Sequence, residues 1–371
     1  MKPISSKFRA FFLVTILAAL FLGGCAPAKP KVRFVWPPPP EKPRVEYVGI
    51  YYSEMSFDQS ANQKFLAEML GASGEYTFRA PFGIASDGKG IVYISDTFDR
   101  NVRIYDFNRK KVEFLTKQPV FSIPLGLDID SHGNLYIADG GAAKVVVYTP
   151  DHKPLKVYEQ KGVLERPAYL AVNEKLGRLY VSDSKKHHIA VFSLDGKFLF
   201  TIGKKGRGKG EFYAPQGLAF SPEGNLYVCD HLNARIQYLT PDGEFLGMFG
   251  ERGDQPGQFE SAKDVAFDSE GHLLALDGRR SELKFYTPDG TLLLTLGEGK
   301  ATNSQFGFGA PRSVFVDGND RIYVAENLGR RFAIWQFLSK AYLDRNPWTE
   351  ADQKALLDYM EKVRKESEKQ K

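Results

Sequence analysis

A short motif that ends in an acidic residue recurs six times along the chain. The copies are "IVYISD" (91–96), "LYIAD" (135–139), "LYVSD" (179–183), "LYVCD" (226–230), "LLALD" (273–277) and "IYVAE" (322–326). Branched and aromatic residues make each copy a strand former, and the Gly, Asn and Pro clusters around the copies form turns. The acidic residues that end the copies are 43, 44, 47, 47 and 49 residues apart. A nearly constant period of this length predicts one structural unit repeated six times.

Further strands flank every copy of the motif. One strand precedes each copy, as in "PQGLAF", and another follows, as in "IQYLTP". A fourth strand follows most copies, as in "FLFTIG" (198–203) and "FLGMFG" (245–250). One hairpin cannot bury its own apolar face, so neighbouring units must pack on one another. Six consecutive four-stranded units predict an all-β fold, a six-bladed β-propeller.

The two ends of the chain complete this prediction. The sixth unit runs through "AIWQFLSK" (333–340) and then becomes helical, so it lacks a fourth strand. The unpaired strand "RVEYVGIYY" (44–52) is predicted to supply it, which closes the ring and covers free edges. The last residues, 346–371, are predicted to form a helix with Thr349 as its N-cap. A second short helix is predicted at 60–70.

The repeats resemble the NHL family of six-bladed propellers over about residues 74–337. The resemblance rests on P-x-G-I/L-A-x-D, then G-N-L-Y-V-x-D, then a turn with Asn or Arg and an apolar strand. Unit four matches best, and unit five departs most, with Ala262 for Pro and Asp264 for Gly. The family includes binders of protein, RNA and carbohydrate and some enzymes, so the resemblance implies a fold more than a function.

The N-terminus resembles a bacterial lipoprotein signal. Basic residues precede an apolar stretch over 10–22 that is short for a membrane span, and "LGGC" (22–25) resembles a lipobox. Cys25 would then carry the lipid, and an ordinary secretory signal is the alternative. Ala26 and Pro27 in place of an Asp favour the outer membrane by analogy with enteric sorting. The expected location is therefore the cell envelope, with membrane attachment through the lipid.

The chain divides into four predicted regions. They are a signal peptide (1–24), a Pro-rich tether (25–43), the propeller (44–337) and a helical tail (338–371). The tether's prolines favour an extended spacer, although a docking ligand for a partner is an alternative. Cys229 is the only cysteine besides Cys25, and small residues replace it in the other units, which predicts core packing. No cofactor is expected, since no haem-attachment motif or paired-cysteine site occurs.

Strand order defines two faces of the disc. The top face holds the loops that lead into strand one and those that join strands two and three. The bottom face holds the other loops. The top-face loops are rich in basic residues, whereas many bottom-face turn residues are acidic, which predicts a polarised disc and an anionic partner on top. The top-face residues predicted to bind it are Lys185, Lys186, Arg279, Arg280, Arg330 and Arg331.

Part of this basic surface has a structural explanation. In NHL turns an Arg or Asn pairs with the acid that ends strand two, as Arg235 is expected to do with Asp230. The repeated acid is itself expected to be scaffold, because it recurs in every unit. These pairs leave unexplained the second Arg of each doublet and the "KKHH" of unit three (185–188).

The mouth of the central channel breaks the repeat and is a second candidate site. Units one to three present an apolar half there, and units four to six a polar half. An apolar wall with a few convergent polar groups is typical of a ligand pocket, and a solvated channel lining is the alternative. The predicted mouth residues are Phe82, Tyr169, Gln216, Lys263, Asp264 and Arg312.

The function predicted from the sequence is a non-catalytic binding or assembly module in the bacterial envelope. Its expected partner is an envelope protein or an anionic polysaccharide, and nucleic acid is not expected. The alternative is a metal-dependent propeller lyase or lactonase with an axial site. Its weak candidate metal ligands are His188 and His231, with Asp264 beside them. No nucleophile, base and orienting group occur at a readable spacing.

Overall fold

The structure, a computed structural model, describes residues 32–57, 77–304 and 306–368. These residues divide into two compact units, one of residues 35–347 and one that joins 32–34 with 348–368. The predicted signal peptide, Cys25 and the helix predicted at 60–70 lie outside the described residues. No helix in the described ranges combines the length and the apolar character that a membrane crossing requires.

Residues 35–347 form a six-bladed β-propeller of antiparallel sheets, as the repeats predict. Blade one contains β3 (Pro81–Ser86), β4 (Ile91–Asp96), β5 (Asn101–Asp106) and β6 (Lys111–Phe114). Blade two contains β7 (Pro124–Ile129), β8 (Leu135–Asp139), β9 (Lys144–Tyr148) and β10 (Pro154–Tyr158). Blade three contains β11 (Pro167–Asn173), β12 (Arg178–Asp183), β13 (His188–Ser193) and β14 (Phe198–Ile202).

Blades four to six follow the same order. Blade four contains β15 (Pro215–Phe220), β16 (Leu226–Asp230), β17 (Arg235–Leu239) and β18 (Phe245–Phe249). Blade five contains β19 (Ala262–Phe267), β20 (Leu273–Asp277), β21 (Glu282–Tyr286) and β22 (Leu292–Gly297). Blade six contains β23 (Pro311–Val316), β24 (Arg321–Glu326) and β25 (Arg331–Phe337) from the end of the propeller sequence.

The outer part of blade six comes from the start of the chain. Strand β2 (Val45–Tyr51) pairs antiparallel with β25, which confirms the predicted closure. A fifth strand, β1 (Val35–Trp36), pairs in turn with β2. The Trp36 indole donates a hydrogen bond of 2.9 Å to the Thr295 carbonyl of blade five. The structure differs here from the predicted tether, because from Val35 onward the chain is part of the propeller.

Apolar side chains fill six seams, each between two adjacent blades. The seam between blades six and one contains Ile84 and Ile94 from one blade and Tyr323 and Phe332 from the other. The ring is therefore closed by the same kind of packing that joins consecutive blades.

The repeated acidic residue holds the loop that leads into its own blade. Asp96 accepts hydrogen bonds from the amides of Arg79 and Ala80 at 2.8 and 3.0 Å. All six acids are fully buried. Each buried carboxylate has amide donors, so the repeated acid is scaffold, as predicted. The others are Asp139, Asp183, Asp230, Asp277 and Glu326.

Two helices follow the last strand. Helix α1 (Lys340–Arg345) ends the propeller unit, and α2 (Glu350–Glu368) belongs to the second unit. The predicted N-cap is present, since the Asp352 amide donates to Thr349 Oγ1 and that hydroxyl donates to the Asp352 carboxylate. Within this unit the Phe34 and Tyr359 rings meet edge to face at 5.2 Å.

Candidate functional site

The predicted basic residues of blade three lie beside an acid that sequence reasoning left out. Lys185 Nζ is 2.7 Å from a Glu165 carboxylate oxygen, and Lys186 Nζ is 3.6 Å from the other. Glu165 lies in the loop that leads into β11. The hydrogen bond from Lys185 lowers the pKa of the Glu165 carboxyl. These lysines are therefore partly neutralised on the top face itself.

Blade five repeats this arrangement. Arg279 Nε is 3.1 Å from a Glu260 oxygen, and Glu260 also lies in a loop that leads into strand one. Arg280 Nε donates to Glu282 at 3.0 Å, and this hydrogen bond raises the pKa of Arg280. Exposed ion pairs such as Arg279–Glu260 contribute little stability. They do reduce the positive charge that the rim offers to an anion.

Blade six requires a correction to the predicted binding set. Arg331 was expected to face a partner, but it is 1% exposed and its Nε donates to Glu326 at 2.8 Å. Its two terminal nitrogens donate to the carbonyls of Asn303, Ser304 and Gly307. The guanidinium is therefore part of the scaffold and unavailable to a ligand. The neighbouring Arg330 is exposed and has no ion pair among the described residues.

The apolar half of the channel mouth is present and spans the axis. The Phe82 and Tyr169 rings lie 5.4 Å apart, against Leu125 and Ala168. The Tyr169 hydroxyl donates a hydrogen bond of 2.5 Å to the backbone carbonyl of Arg312, on blade six. Tyr169 belongs to blade three, so its side chain reaches across the mouth and narrows the channel.

The polar half brings together residues of blades four, five and six. Lys263 Nζ is 3.2 Å from His231 Nε2, and Ser261 Oγ is 3.5 Å from the other ring nitrogen. Burial and then the charge of Arg312 lower the pKa of Lys263 to about 8. Burial and then the charge of Lys263 lower the pKa of His231 to about 4. At neutral pH a neutral imidazole therefore accepts a hydrogen bond from the Lys263 ammonium.

Neither cation of the mouth has an acidic partner. Across the described ranges, Lys263 and Arg312 make no ion pair with a carboxylate. Asp277 raises the pKa of Lys263, but less than Arg312 lowers it. The amide oxygen of Gln216 is buried nearby without a hydrogen-bond donor in the described chain. The mouth therefore differs from the rim, where most of the predicted basic residues face a glutamate.

Two carboxyl groups lie on the innermost strands. Asp264 accepts from Ser313 Oγ at 2.7 Å and from the Val314 amide at 3.0 Å, which links blade five to blade six. Asp128 accepts from the Val172 amide at 2.8 Å and links blade two to blade three. Burial raises the pKa of each carboxyl to about 7.

Sequence reasoning missed Asp128, although a signal was available. Four of the other five blades have Ala at its position, namely Ala85, Ala171, Ala219 and Ala266. A single carboxyl in a register of small apolar residues is the kind of exception that marked the other mouth residues.

The candidate metal ligands have separate partners. His188 Nε2 is 3.0 Å from the Val163 carbonyl, whereas His231 contacts Lys263 and Ser261. In the part of the chain that the structure describes, no group of three or more His, Cys, Asp or Glu residues is arranged to hold a metal ion. Cys229 is fully buried in the seam between blades four and five, as predicted, and burial raises the pKa of its thiol.

Comparison with known proteins supports the fold. A family profile described as a six-bladed β-propeller matches residues 169–249, which are blades three and four. No curated protein matches the sequence. The propeller is similar to a protein of unknown function from Bacteroides thetaiotaomicron, with 18% identity and a TM-score of 0.59 over 71% of this chain and 70% of that chain.

Two enzymes are also similar in structure. A gluconolactonase from Xanthomonas campestris has 18% identity and a TM-score of 0.56, over 70% of this chain and 86% of that chain. A virginiamycin B lyase from Staphylococcus aureus has 14% identity and a TM-score of 0.53, over 70% and 96%. Identities this low indicate a shared fold, and a shared propeller fold does not imply a shared activity.

Proposed function

We propose that the protein is a lipid-anchored binding module of the bacterial envelope that captures an anionic group at its channel mouth. The partner is an envelope protein or an anionic polysaccharide that carries carboxylates. Lys263 and Arg312 bind the anionic group, and the partly exposed ring of Phe82, which packs on the buried ring of Tyr169, contacts the apolar part of the same ligand. Attachment to the membrane through Cys25 rests on the lipobox in the sequence.

The observation that carries this proposal is the missing counter-charge at the mouth. A Lys and an Arg whose charges act on each other, without a carboxylate in ion-pair distance, are unfavourable until an anion joins them. Their partial burial strengthens an ionic contact relative to the exposed rim. The neutral His231 ring accepts a hydrogen bond from one N–H of the Lys263 ammonium, and the other N–H groups remain available to a ligand.

The wall opposite the cations favours an amphipathic ligand. Aromatic rings supply contact area at low loss of conformational entropy, and here the Phe82 ring packs on Tyr169, which is fixed by its hydrogen bond to blade six. A small inorganic anion would use the cations and leave this wall without a contact. A sugar acid or an acidic peptide uses both halves.

The test is a binding titration with a carboxylated polysaccharide, polygalacturonate, beside neutral dextran. The Lys263→Gln/Arg312→Gln variant is compared with Arg279→Gln/Arg280→Gln. Both double variants remove two positive charges from the same face, so net charge and long-range steering are matched. We expect only the mouth variant to lose polygalacturonate binding, at low and at moderate salt.

Three other outcomes have different meanings. If both variants lose polygalacturonate binding equally, the polymer is attracted to the whole top face and not to the mouth. If neither variant loses binding, the charge-based proposal is wrong. Absence of binding to any anionic polymer would direct attention to the lyase or lactonase alternative. Metal analysis of protein purified without chelators, followed by a lactone hydrolysis assay, would then decide.

A further inference from the structure

A cavity of about 360 Å³ lies between blades one and two, on the bottom face. Its apolar wall consists of Ile91, Ile104 and Ile129, and Tyr93 and His152 also line it. A concave site of this size is large enough for a small ligand, and its lining combines the apolar wall with many polar and charged groups. It lies on the face opposite the channel mouth, so it is independent of the function proposed above.

In two other seams a tyrosine hydroxyl bridges the adjacent blades at the position that corresponds to this cavity. In blades three and four the strand-two tyrosine donates to a turn carbonyl of the next blade, Tyr180 to Pro241 at 3.1 Å and Tyr227 to Pro288 at 2.9 Å. By register Tyr93 would donate to Pro150. Its hydroxyl instead has no hydrogen-bond partner in the described part of the chain, although Tyr93 is only 4% exposed. The side chain of Tyr93 is thus almost wholly buried, while its hydroxyl opens onto the cavity and is available to a ligand there.

The turn beside the cavity carries a second departure from the repeat. Gly196, Gly243 and Gly290 occupy the left-handed position of this turn in blades three to five, with φ of 112°, 99° and 97°. In blade two the same position is His152, with φ of 62°. A side chain is strained at such a backbone angle, and strain of this kind is concentrated at functional sites. The ring of His152 meets Tyr93 edge to face at 6.1 Å.

The charge of the lining selects the ligand. Four carboxylates line the cavity against two permanent cations, Lys89 and Arg109. The carboxylates are Asp87, Asp106, Glu113 and Asp130. His132 also lines the cavity, beside Glu174. Burial lowers the pKa of His152, so at neutral pH its ring offers an acceptor as well as a donor.

Not every lining carboxylate is used by the fold. The Asp87 Oδ1 atom accepts from the amides of Lys89 and Ile91 at 2.8 and 2.9 Å. No hydrogen bond to the second oxygen is found among residues 77–304. A cation in the cavity can be bound by this oxygen, by the Tyr93 hydroxyl and by the unprotonated nitrogen of the His152 ring.

We propose that the cavity between blades one and two binds a primary ammonium group on a short apolar stem. The ammonium is held by Asp87, the Tyr93 hydroxyl and the His152 ring, and the stem lies against the three isoleucines. A free alkylamine and a lysine side chain of a peptide present this same chemistry. A probe amine therefore tests whether the site binds an ammonium group. Comparison with a lysine-containing peptide shows whether the ligand is a free alkylamine or a lysine side chain.

The test is a ligand-observed NMR titration of the full chain in mild detergent with n-butylammonium. The neutral n-butanol and the anionic butyrate are the matched probes. We expect saturable binding of n-butylammonium alone. Tyr93→Phe keeps the ring and removes the hydroxyl, and Asp87→Asn keeps the turn-capping oxygen. Each is expected to weaken n-butylammonium binding about tenfold, the usual effect of losing one charge-assisted hydrogen bond.

Two control variants make the result specific. Tyr227→Phe removes a sister hydroxyl that has a partner, so it should lower stability slightly and leave amine binding unchanged. His152→Gly restores the residue of the sister turns, so it should fold at least as well and bind the amine more weakly. Equal binding of n-butanol, no saturable binding of n-butylammonium, or unchanged affinity in Tyr93→Phe would each overturn the proposal.

Discussion

The rim and the mouth of the top face both carry basic residues, but their surroundings differ. On the rim, Lys185 and Arg279 are exposed, and each lies within ion-pair distance of a glutamate. At the mouth, Lys263 and Arg312 are half-buried and face each other and a neutral imidazole. Judged from the sequence alone, both regions are candidate anion sites. The distribution of carboxylates is the reason why we propose the mouth, and not the rim, as the anion site.

This difference explains why net charge is a poor guide to a binding surface. The rim acids Glu165 and Glu260 each come two residues before the start of strand one, so the fold returns them to the turn that carries the basic residues. A lysine beside such an acid has its preferred partner already. The lysine at the mouth has none among the described residues, and burial and then the charge of Arg312 lower its pKa.

The largest expected effect separates two adjacent arginines of blade six. Arg331→Ala leaves the buried Glu326 without its partner and is expected to cost about 3–5 kcal/mol of unfolding free energy. Arg330→Ala is expected to change it by less than about 0.5 kcal/mol. Chemical denaturation of both variants measures their unfolding free energies. Similar values would mean that the buried Arg331–Glu326 pair is not part of the scaffold.

The next effect contrasts mouth with rim directly. Lys263→Gln/Arg312→Gln is expected to weaken polygalacturonate binding by at least about tenfold, because two unpaired and partly buried cations are lost. Arg279→Gln/Arg280→Gln is expected to weaken it less than about twofold, because those charges are compensated. Calorimetric titration distinguishes the two, and a stronger effect at the rim would reverse our ranking of the regions.

A pH series sharpens the assignment to Lys263. Its pKa of about 8 means that the ammonium is present at neutral pH and lost as pH rises. Anion affinity is therefore expected to fall between about pH 7 and about pH 9. In Lys263→Arg the charge persists, so most of this fall should disappear. Deprotonation of Asp264, with a pKa of about 7, should leave a smaller decline at lower pH.

The smallest expected effect concerns the apolar wall. Tyr169→Phe removes the hydroxyl that donates to the Arg312 carbonyl and is expected to reduce stability by about 1 kcal/mol. Ligand affinity should fall by a small factor, because the ring stays in place while the Arg312 backbone loses a support. Affinity that drops as far as in the double mouth variant would mean that the hydroxyl itself contacts the ligand.

Much of the fold follows from the sequence because it depends on local repeats. The repeated acid-terminated strand and the turn glycines predict six blades. The unpaired strand at 44–52 predicts how the ring closes. The strand β1 escaped prediction because Val35–Trp36 is short and proline surrounds it. Pairing of two residues is decided by the free edge of β2 rather than by their own propensity.

The site was predictable only in part. Arg331 lies five residues after Glu326, as Arg235 does after Asp230, so the register already indicates the buried pair. The Lys263 contact with His231 joins two blades, and its geometry depends on how their strands are staggered. No local sequence pattern encodes that stagger. The ion pairs between the basic residues and the glutamates of the rim depend on the same stagger.

The closure of blade six has a consequence for biosynthesis. Strand β2 is synthesised early, but its partner β25 follows some 280 residues later. At typical synthesis rates this is a delay of roughly 14–56 s. Throughout that interval the edge of β2 that later pairs with β25 has exposed backbone groups and no native partner. The segment that finally locks the ring is therefore the one that most needs protection from premature association while the chain is being made.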